Sequence, residues 1–190
     1  MICTLDNKLT VLIGFMQVGK TLIGRSLANM LHVKFIELDS KIEQLYEKSN
    51  LTFLTCRQIM LLHGESYYRE LETTALQKSL KRQSGILILG GGTLLNPYNQ
   101  EAIKPYPLLH IIASPGIVFE RIMVKGRPAF FDPHKDPYES FSRLWDERNA
   151  IFKKMTANMV NNNGTITQAV SQAISHFPAR ENKIIRDSYL

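Results

Sequence analysis

Cysteine is scarce in this 190-residue chain: Cys3 and Cys56 are its two examples, and they share no metal-ligand spacing. That excludes a disulfide framework and a thiolate zinc site, and it suits a reduced, cytoplasmic setting. Long apolar runs are also missing. None approaches the ~20 residues that cross a bilayer, so no membrane association is expected. The opening residues Met1 to Asp6 lack a basic stretch ahead of an apolar one, so a signal peptide is not expected either. There is no internal repeat and no long low-complexity segment. Charge of one sign is in modest excess, 23 Lys and Arg against 17 Asp and Glu, giving +6. The basic residues are scattered and not interleaved with aromatics, which argues against nucleic acid and suits a small polyanionic ligand. The histidines are isolated, and none is assigned a metal. His63, at a predicted helix junction, reads as a partly buried or capping residue.

What is present is ordinary globular usage, 44% apolar and 21% charged. A chain of this length buries roughly 70% of its unfolded surface, enough for a core without staples. One domain over 1–178 is expected, followed by a polar tail over 179–190.

The most specific signal lies near the start. Gly14-Phe-Met-Gln-Val-Gly-Lys-Thr21 fits G-x-x-x-x-G-K-[ST] at every fixed position. A β-branched apolar run precedes it, and Leu22 to Leu31 repeats apolar residues at helical spacing. Strand, glycine loop and helix are the context in which backbone N–H groups and a helix N-terminus cradle an anion. Lys20 then reaches the β- and γ-phosphates, and the Thr21 hydroxyl can ligate Mg²⁺. The chain is expected to bind a nucleoside triphosphate.

Five strand-like runs, 9–13, 33–38, 86–89, 108–112 and 158–160, alternate with helical patterns. The alternation predicts an α/β fold, a parallel sheet covered on both faces. Ser40 to Glu43, Thr55 to Gln58 and Thr165 to Gln168 read as capping boxes. Ser114-Pro115 reads as a helix start, Lys125-Gly126 as a stop and Asn161 to Gly164 as a turn. Ligands of such sheets bind beyond the carboxyl ends of the strands. Four of those ends carry polar or glycine chemistry: the phosphate loop, Glu37-Leu-Asp39, Gly90-Gly91-Gly92 and the asparagine turn.

Several side chains stand out at that edge. Asp39 follows a strand and aims a carboxylate at the crevice, with Ser40 predicted to cap the next helix. Glu37, two residues earlier, lies on the same side. Arg69 falls on the apolar stripe of a long helical pattern, with Leu62, Leu76 and Leu80. A buried guanidinium needs a partner, and Glu65, Glu72 or a ligand carboxylate could supply it. Arg148 shares a face with Phe141, Trp145 and Phe152, either lining a crevice or resting on Trp145. The triple glycine offers close backbone approach to a ligand. Gly126-Arg127-Pro128 opens an aperiodic segment over 126–137 that reads as a mobile lid, where Arg127 is either a charge clamp over the phosphates or an idle surface arginine.

In their order and spacing these residues resemble the shikimate kinase family, over roughly residues 9 to 176. The resemblance implies a three-layer P-loop kinase fold, a five-stranded parallel sheet in the order 2-3-1-4-5, and a substrate-binding helical region over about 40–81. It implies transfer of the ATP γ-phosphoryl group to the 3-hydroxyl of shikimate, within chorismate and aromatic amino acid biosynthesis. ATP would be held by Gly14, Gln17, Val18, Gly19, Lys20, Thr21 and Leu22, with Arg121 and the 161–164 turn near the adenine. Asp39 would hold the acceptor hydroxyl. Arg69 and Arg148 would grip the shikimate carboxylate, with Gly91 and Gly92 nearby. Lys20 and Arg127 would stabilise the transferred charge. Thr21 would bind Mg²⁺, and Glu37 would hold the waters around it. The chain departs from the family at Glu37, where aspartate is usual, at Tyr68, at Ala129-Phe130 after the lid's Arg-Pro, and at Ala150-Ile-Phe152.

The alternatives are another P-loop small-molecule kinase, for gluconate or a nucleoside monophosphate, and a nucleotide-binding regulatory module without turnover. No apolar face demands a partner, so a monomer is expected.

Overall fold

The computed structural model describes residues 9–127 and 131–177. The apolar run Leu9–Ile13 forms β1, and all five of its residues are buried. A strand buried at every position is covered on both faces, as parallel sheets require. β2 (Phe35–Glu37), β3 (Gly85–Ile88), β4 (Leu108–Ile112) and β5 (Met159–Asn161) complete one sheet in the order β2-β3-β1-β4-β5. Every neighbouring pair is parallel. β1 and β4 match the expected runs. β2 is shorter than Val33 to Leu38, because the chain enters the next helix at Leu38, and β3 and β5 are displaced by one residue.

Helices α1 (Lys20–Met30), α2 (Leu38–Asn50), α3 (Cys56–Leu80), α4 (Pro97–Ile103), α5 (Pro115–Val124), α6 (Pro137–Met155) and α7 (Ile166–Ile174) fill the connections. α1 sits tight on the sheet. A Cβ at Gly24 would stand 2.3 Å from Ile88 and 3.3 Å from Leu12, which are register partners on one face. His110 pairs with Ile13, one residue along and therefore on the other face, and its ring packs on Phe152 of α6. α1 and α6 thus cover opposite faces.

The local signals explain most helix ends. Thr55 and Thr165 form the expected capping boxes with Gln58 and Gln168. Ser114 precedes Pro115 at the α5 start, though its hydroxyl and N–H engage Asn163 Oδ1 and not the helix. Lys125 ends α5, and Gly126 follows with φ 95°. Ser40 is not a cap. α2 begins at Leu38 with Glu37 as its N-cap residue, so Ser40 lies inside the first turn. An early start is favoured because Leu38 is fully buried and anchors the helix where the strand ends.

α3 is two helical segments joined at Gly64, whose φ 82° and ψ 170° are far from helical. Only glycine adopts such a conformation without strain. His63, exposed rather than partly buried, meets the Tyr46 hydroxyl at 2.8 Å and stacks on Tyr67 with ring centroids 4.6 Å apart. Leu62 does not join the Arg69 stripe. The break turns it outward, and it is 66% exposed.

Pro128, Ala129, Phe130, Cys3 and the 179–190 tail lie outside the described residues. No helix among the described residues is long and apolar enough to cross a membrane.

Candidate active site

The carboxyl ends of β1, β2 and β3 bring the charged residues together. β1 ends at Ile13 and passes directly into the glycine loop. Gly14 has φ 142°, and its hypothetical Cβ would meet the Ile111 carbonyl at 2.3 Å, so nothing larger fits where the loop leaves the sheet. Gly19 precedes α1 with φ 99° and no side-chain cap, and the first turn of α1 holds no acidic residue. The α1 N-terminus therefore keeps unsatisfied N–H groups and partial positive charge free for an anion.

Lys20 is buried. Its Nζ donates to the carbonyls of Gly14 at 2.8 Å and Phe15 at 2.7 Å. Burial pushes its pKa down to about 8, with Arg148 adding to the fall and Asp39 and Glu37 opposing it. Thr21 donates its hydroxyl to Glu37 Oε1 at 2.8 Å, so the longer glutamate side chain reaches the place that the sequence assigns to the Mg²⁺ environment.

Asp39 stands in the first turn of α2 and keeps a solvent-facing surface. Partial desolvation pushes its carboxyl up to about 6. Lys20 resists the rise, and the neighbouring carboxylates Glu72, Glu37 and Glu43 favour it. A lysine with a lowered pKa facing an aspartate with a raised one marks a site where charge is costly until a charged ligand arrives.

Arg69 has internal partners. Its Nη1 donates to Glu72 at 2.8 Å, and its Nη2 and Nε reach Glu65 at 3.2 and 3.3 Å. Glu72 is buried and also accepts the Thr93 hydroxyl at 2.8 Å. Arg148 is buried over the Phe15 ring, 5.5 Å from its centroid, and not over Trp145. Burial lowers its pKa, and the Arg69 charge lowers it further. Two guanidinium groups that feel one another's charge are costly to hold together, and a further anion between them would lower that cost.

The triple glycine makes room for protein groups. A Cβ on Gly90 would stand 3.2 Å from Asp39 Oδ1, on Gly91 3.0 Å from the Met16 N–H nitrogen, and on Gly92 3.1 Å from Arg69 Nη2. The close approach expected for a ligand is thus occupied, in part, by the residues that would hold one.

A cleft of about 470 Å³ opens beside Asp39, lined by Met16, Gln17, Cys56, Met60, Tyr68 and Ile122 among others. That volume suits a small organic ligand. Cys56 Sγ donates to the Asp39 carbonyl at 3.4 Å, and burial pushes its thiol up to about 12, so it is a wall and not a nucleophile. Cys56 and Met60 had no signal in the sequence beyond their place at the start of a capped helix.

One expected residue stands apart. Arg127 is exposed and donates to the carbonyls of Asp132 and, at 2.8 Å, Lys135, both in its own segment. It is not at the phosphate loop. Arg121 reaches the Gln17 and Asn162 carbonyls at 3.4 Å, and it borders a second cleft with Gln17, Ile117 and Val124.

The family model for shikimate kinase matches residues 16–178. The chain belongs to the shikimate kinase family. A shikimate kinase of Pelotomaculum thermopropionicum is 31% identical over 176 residues, 92% of this chain and 97% of that protein. One from Thermus thermophilus is 30% identical over 164 residues, 86% of each. The chain also matches 32% of the length of a bifunctional shikimate kinase/3-dehydroquinate synthase of Thermotoga maritima, at 28% identity. Among solved structures, shikimate kinase from Acinetobacter baumannii in complex with shikimate superposes with a TM-score of 0.75 at 25% identity, covering 90% of this chain and 92% of that one. A gluconokinase of Sinorhizobium meliloti, at a TM-score of 0.50 and 15% identity, shares the fold alone. The family, the sheet order and the P-loop agree, and this member of the shikimate kinase family is a kinase.

Proposed function

We propose that the chain transfers the γ-phosphoryl group of ATP to the 3-hydroxyl of shikimate, as a cytoplasmic monomer. One arrangement carries the reading: Lys20, buried at the end of the phosphate loop against the Gly14 and Phe15 carbonyls, feels the charges of both Asp39 from α2 and Arg148 from α6. A phosphate-binding lysine, a carboxylate for the hydroxyl and a guanidinium for the acid are the three groups this transfer needs.

In this reading ATP lays its phosphates along the N–H groups of the loop and the α1 N-terminus. Lys20 exchanges the Gly14 and Phe15 carbonyls for phosphate oxygens. The acceptor ring occupies the cleft against Tyr68 and Met60, and Arg69 and Arg148 hold its carboxylate. Glu72 keeps Arg69 oriented. Asp39 aligns the hydroxyl and accepts its proton as the new P–O bond forms. Catalysis is then alignment and charge neutralisation.

Thr21 and Glu37 present two hard oxygen donors 2.8 Å apart, which fit Mg²⁺ held chiefly by phosphates and water. No cluster of three His, Cys, Asp or Glu residues that could hold an ion exists among the described residues. Bound there, Mg²⁺ would neutralise charge on the β- and γ-phosphates. Arg127 would add a further positive charge after releasing its two loop carbonyls, with the 126–137 segment serving as a lid that pivots at Gly126.

The test is ADP release by the pure protein with Mg-ATP and shikimate. Shikimate-dependent ADP formation is expected. Turnover with gluconate or a nucleoside monophosphate instead would overturn the reading.

A further inference from the structure

The phosphate loop is fastened from behind by a residue outside the transfer machinery described above. Asn162 follows β5 and is buried, and its Nδ2 donates to the Val18 carbonyl at 2.8 Å. A carbonyl only accepts, so the amide nitrogen and not the oxygen must face Val18. Asn162 Oδ1 is buried too and has no hydrogen-bond partner among the described residues. A half-satisfied amide in a core is costly, so a gain elsewhere accounts for its presence. Arg121 adds longer bonds, to the Gln17 carbonyl and to the Asn162 carbonyl, each 3.4 Å.

Peptide geometry supplies the gain. A trans peptide unit is planar, with its C=O and N–H pointing opposite ways. The Val18 carbonyl shares its unit with the Gly19 N–H, and the Gln17 carbonyl shares one with the Val18 N–H. Drawing both carbonyls toward Asn162 and Arg121 turns both N–H groups away from those two residues. Neither N–H meets a backbone carbonyl among the described residues. Gln17, at φ 58°, and Gly19, at φ 99°, hold the left-handed conformations that let successive N–H groups converge on an anion. The clamp also helps to dictate the sequence. A Cβ at Gly19 would stand 2.2 Å from Asn162 Nδ2, so this glycine is required by Asn162 as well as by the loop's own turn.

We propose that Asn162 is a positioning residue for the nucleotide's phosphates, holding the Val18–Gly19 peptide in its anion-binding orientation before the ligand arrives. The proposal rests on the phosphoryl-transfer reading and adds to it a part that acts through the backbone of the loop.

Asn162→Leu keeps the branched shape at a larger volume and removes the donor, and Asn162→Ser is a smaller second variant that cannot overpack the site. Both should raise the KM for ATP and the Kd for inorganic tripolyphosphate about tenfold, with the KM for shikimate within twofold. A residue that only packs would lower the melting temperature and leave tripolyphosphate affinity alone, and that result overturns the proposal. The wild-type protein gives an independent arm. On titration with tripolyphosphate the ¹⁵N–¹H resonances of Val18 and Gly19 should shift, and their failure to move overturns the proposal however the variants fold. Tripolyphosphate binding does not involve shikimate. A wild-type protein that binds it and shifts both amides, yet does not phosphorylate shikimate, would leave the clamp standing and remove the activity.

Discussion

The two halves of the site are built in opposite ways. The proposed nucleotide half is one continuous stretch, Gly14 to Leu22, whose carbonyls are held by Lys20, Asn162 and Arg121. The acceptor half is assembled from four separate segments. Asp39 comes from α2, Arg69 and Glu72 from the second part of α3, Gly90 to Gly92 from the end of β3, and Arg148 from α6. The shape of the first is written in a local stretch of sequence, whereas that of the second depends on how distant segments pack.

Four substitutions would sharpen or break this contrast. The largest effect is expected for Lys20→Ala, which removes the charge facing the transferred group; kcat should fall roughly 10²–10³-fold or more. Near-normal kcat in single-turnover measurements would deny Lys20 its role.

Asp39→Asn should lower kcat by roughly 10²–10⁴-fold with little change in ATP affinity. The pH dependence follows from its carboxyl lying near 6. Wild-type kcat/KM for shikimate should fall as the pH drops through about 6, because the working form is the carboxylate. Stability runs the other way. A raised carboxyl pKa means that the native state binds the proton more tightly than the unfolded chain does, so this group's contribution declines as the pH rises from the ordinary carboxylate range to about 6 and is level above. At pH 7 the asparagine variant should therefore melt at or above the wild-type temperature, measured by calorimetry. A pronounced drop would recast Asp39 as structural.

Arg148→Lys replaces a planar fork with a point charge and should raise the KM for shikimate about tenfold, with the KM for ATP nearly unchanged. Equal changes in both constants would mean that the two halves are not separable at Arg148. The smallest effect is expected for Gly92→Ala. Its Cβ would crowd Arg69 Nη2 at 3.1 Å, and because that group ends a flexible side chain the cost should be a few-fold rise in the shikimate KM. No change at all would show that Arg69 has slack at its tip.

The same contrast explains what was legible in the sequence. Strand alternation, caps at Thr55 and Thr165, and the phosphate loop are local signals, and they located the fold, the sheet edge and the nucleotide half directly. The acceptor residues were legible only as anomalies: Arg69 and Arg148 on apolar faces, and three glycines where one would turn the chain. Helical spacing also offered Glu65 and Glu72 as partners of Arg69, and both pair with it. That Glu72 takes the Thr93 hydroxyl as well, that Phe15 and not Trp145 carries Arg148, and that the glycines yield their space to Asp39 and Arg69 are products of packing between distant segments. Ser40 misled because a capping pattern can lie inside a helix when a buried Leu38 starts it earlier. Asn162 was hidden inside a run of asparagines that reads as a turn, although only its buried position separates it from its neighbours Asn161 and Asn163.

The break at Gly64 divides the labour of α3. Its outer segment supplies Cys56 and Met60 to the cleft wall, while its inner segment adds Tyr68 to that wall and carries Arg69 and Glu72. A rigid rod through that point would make every replacement along the wall tilt the arginine as well. With the joint in place, drift in the outer segment can retune which ring is admitted while the grip on its acid group is inherited intact, so selectivity and anchoring can evolve on separate clocks.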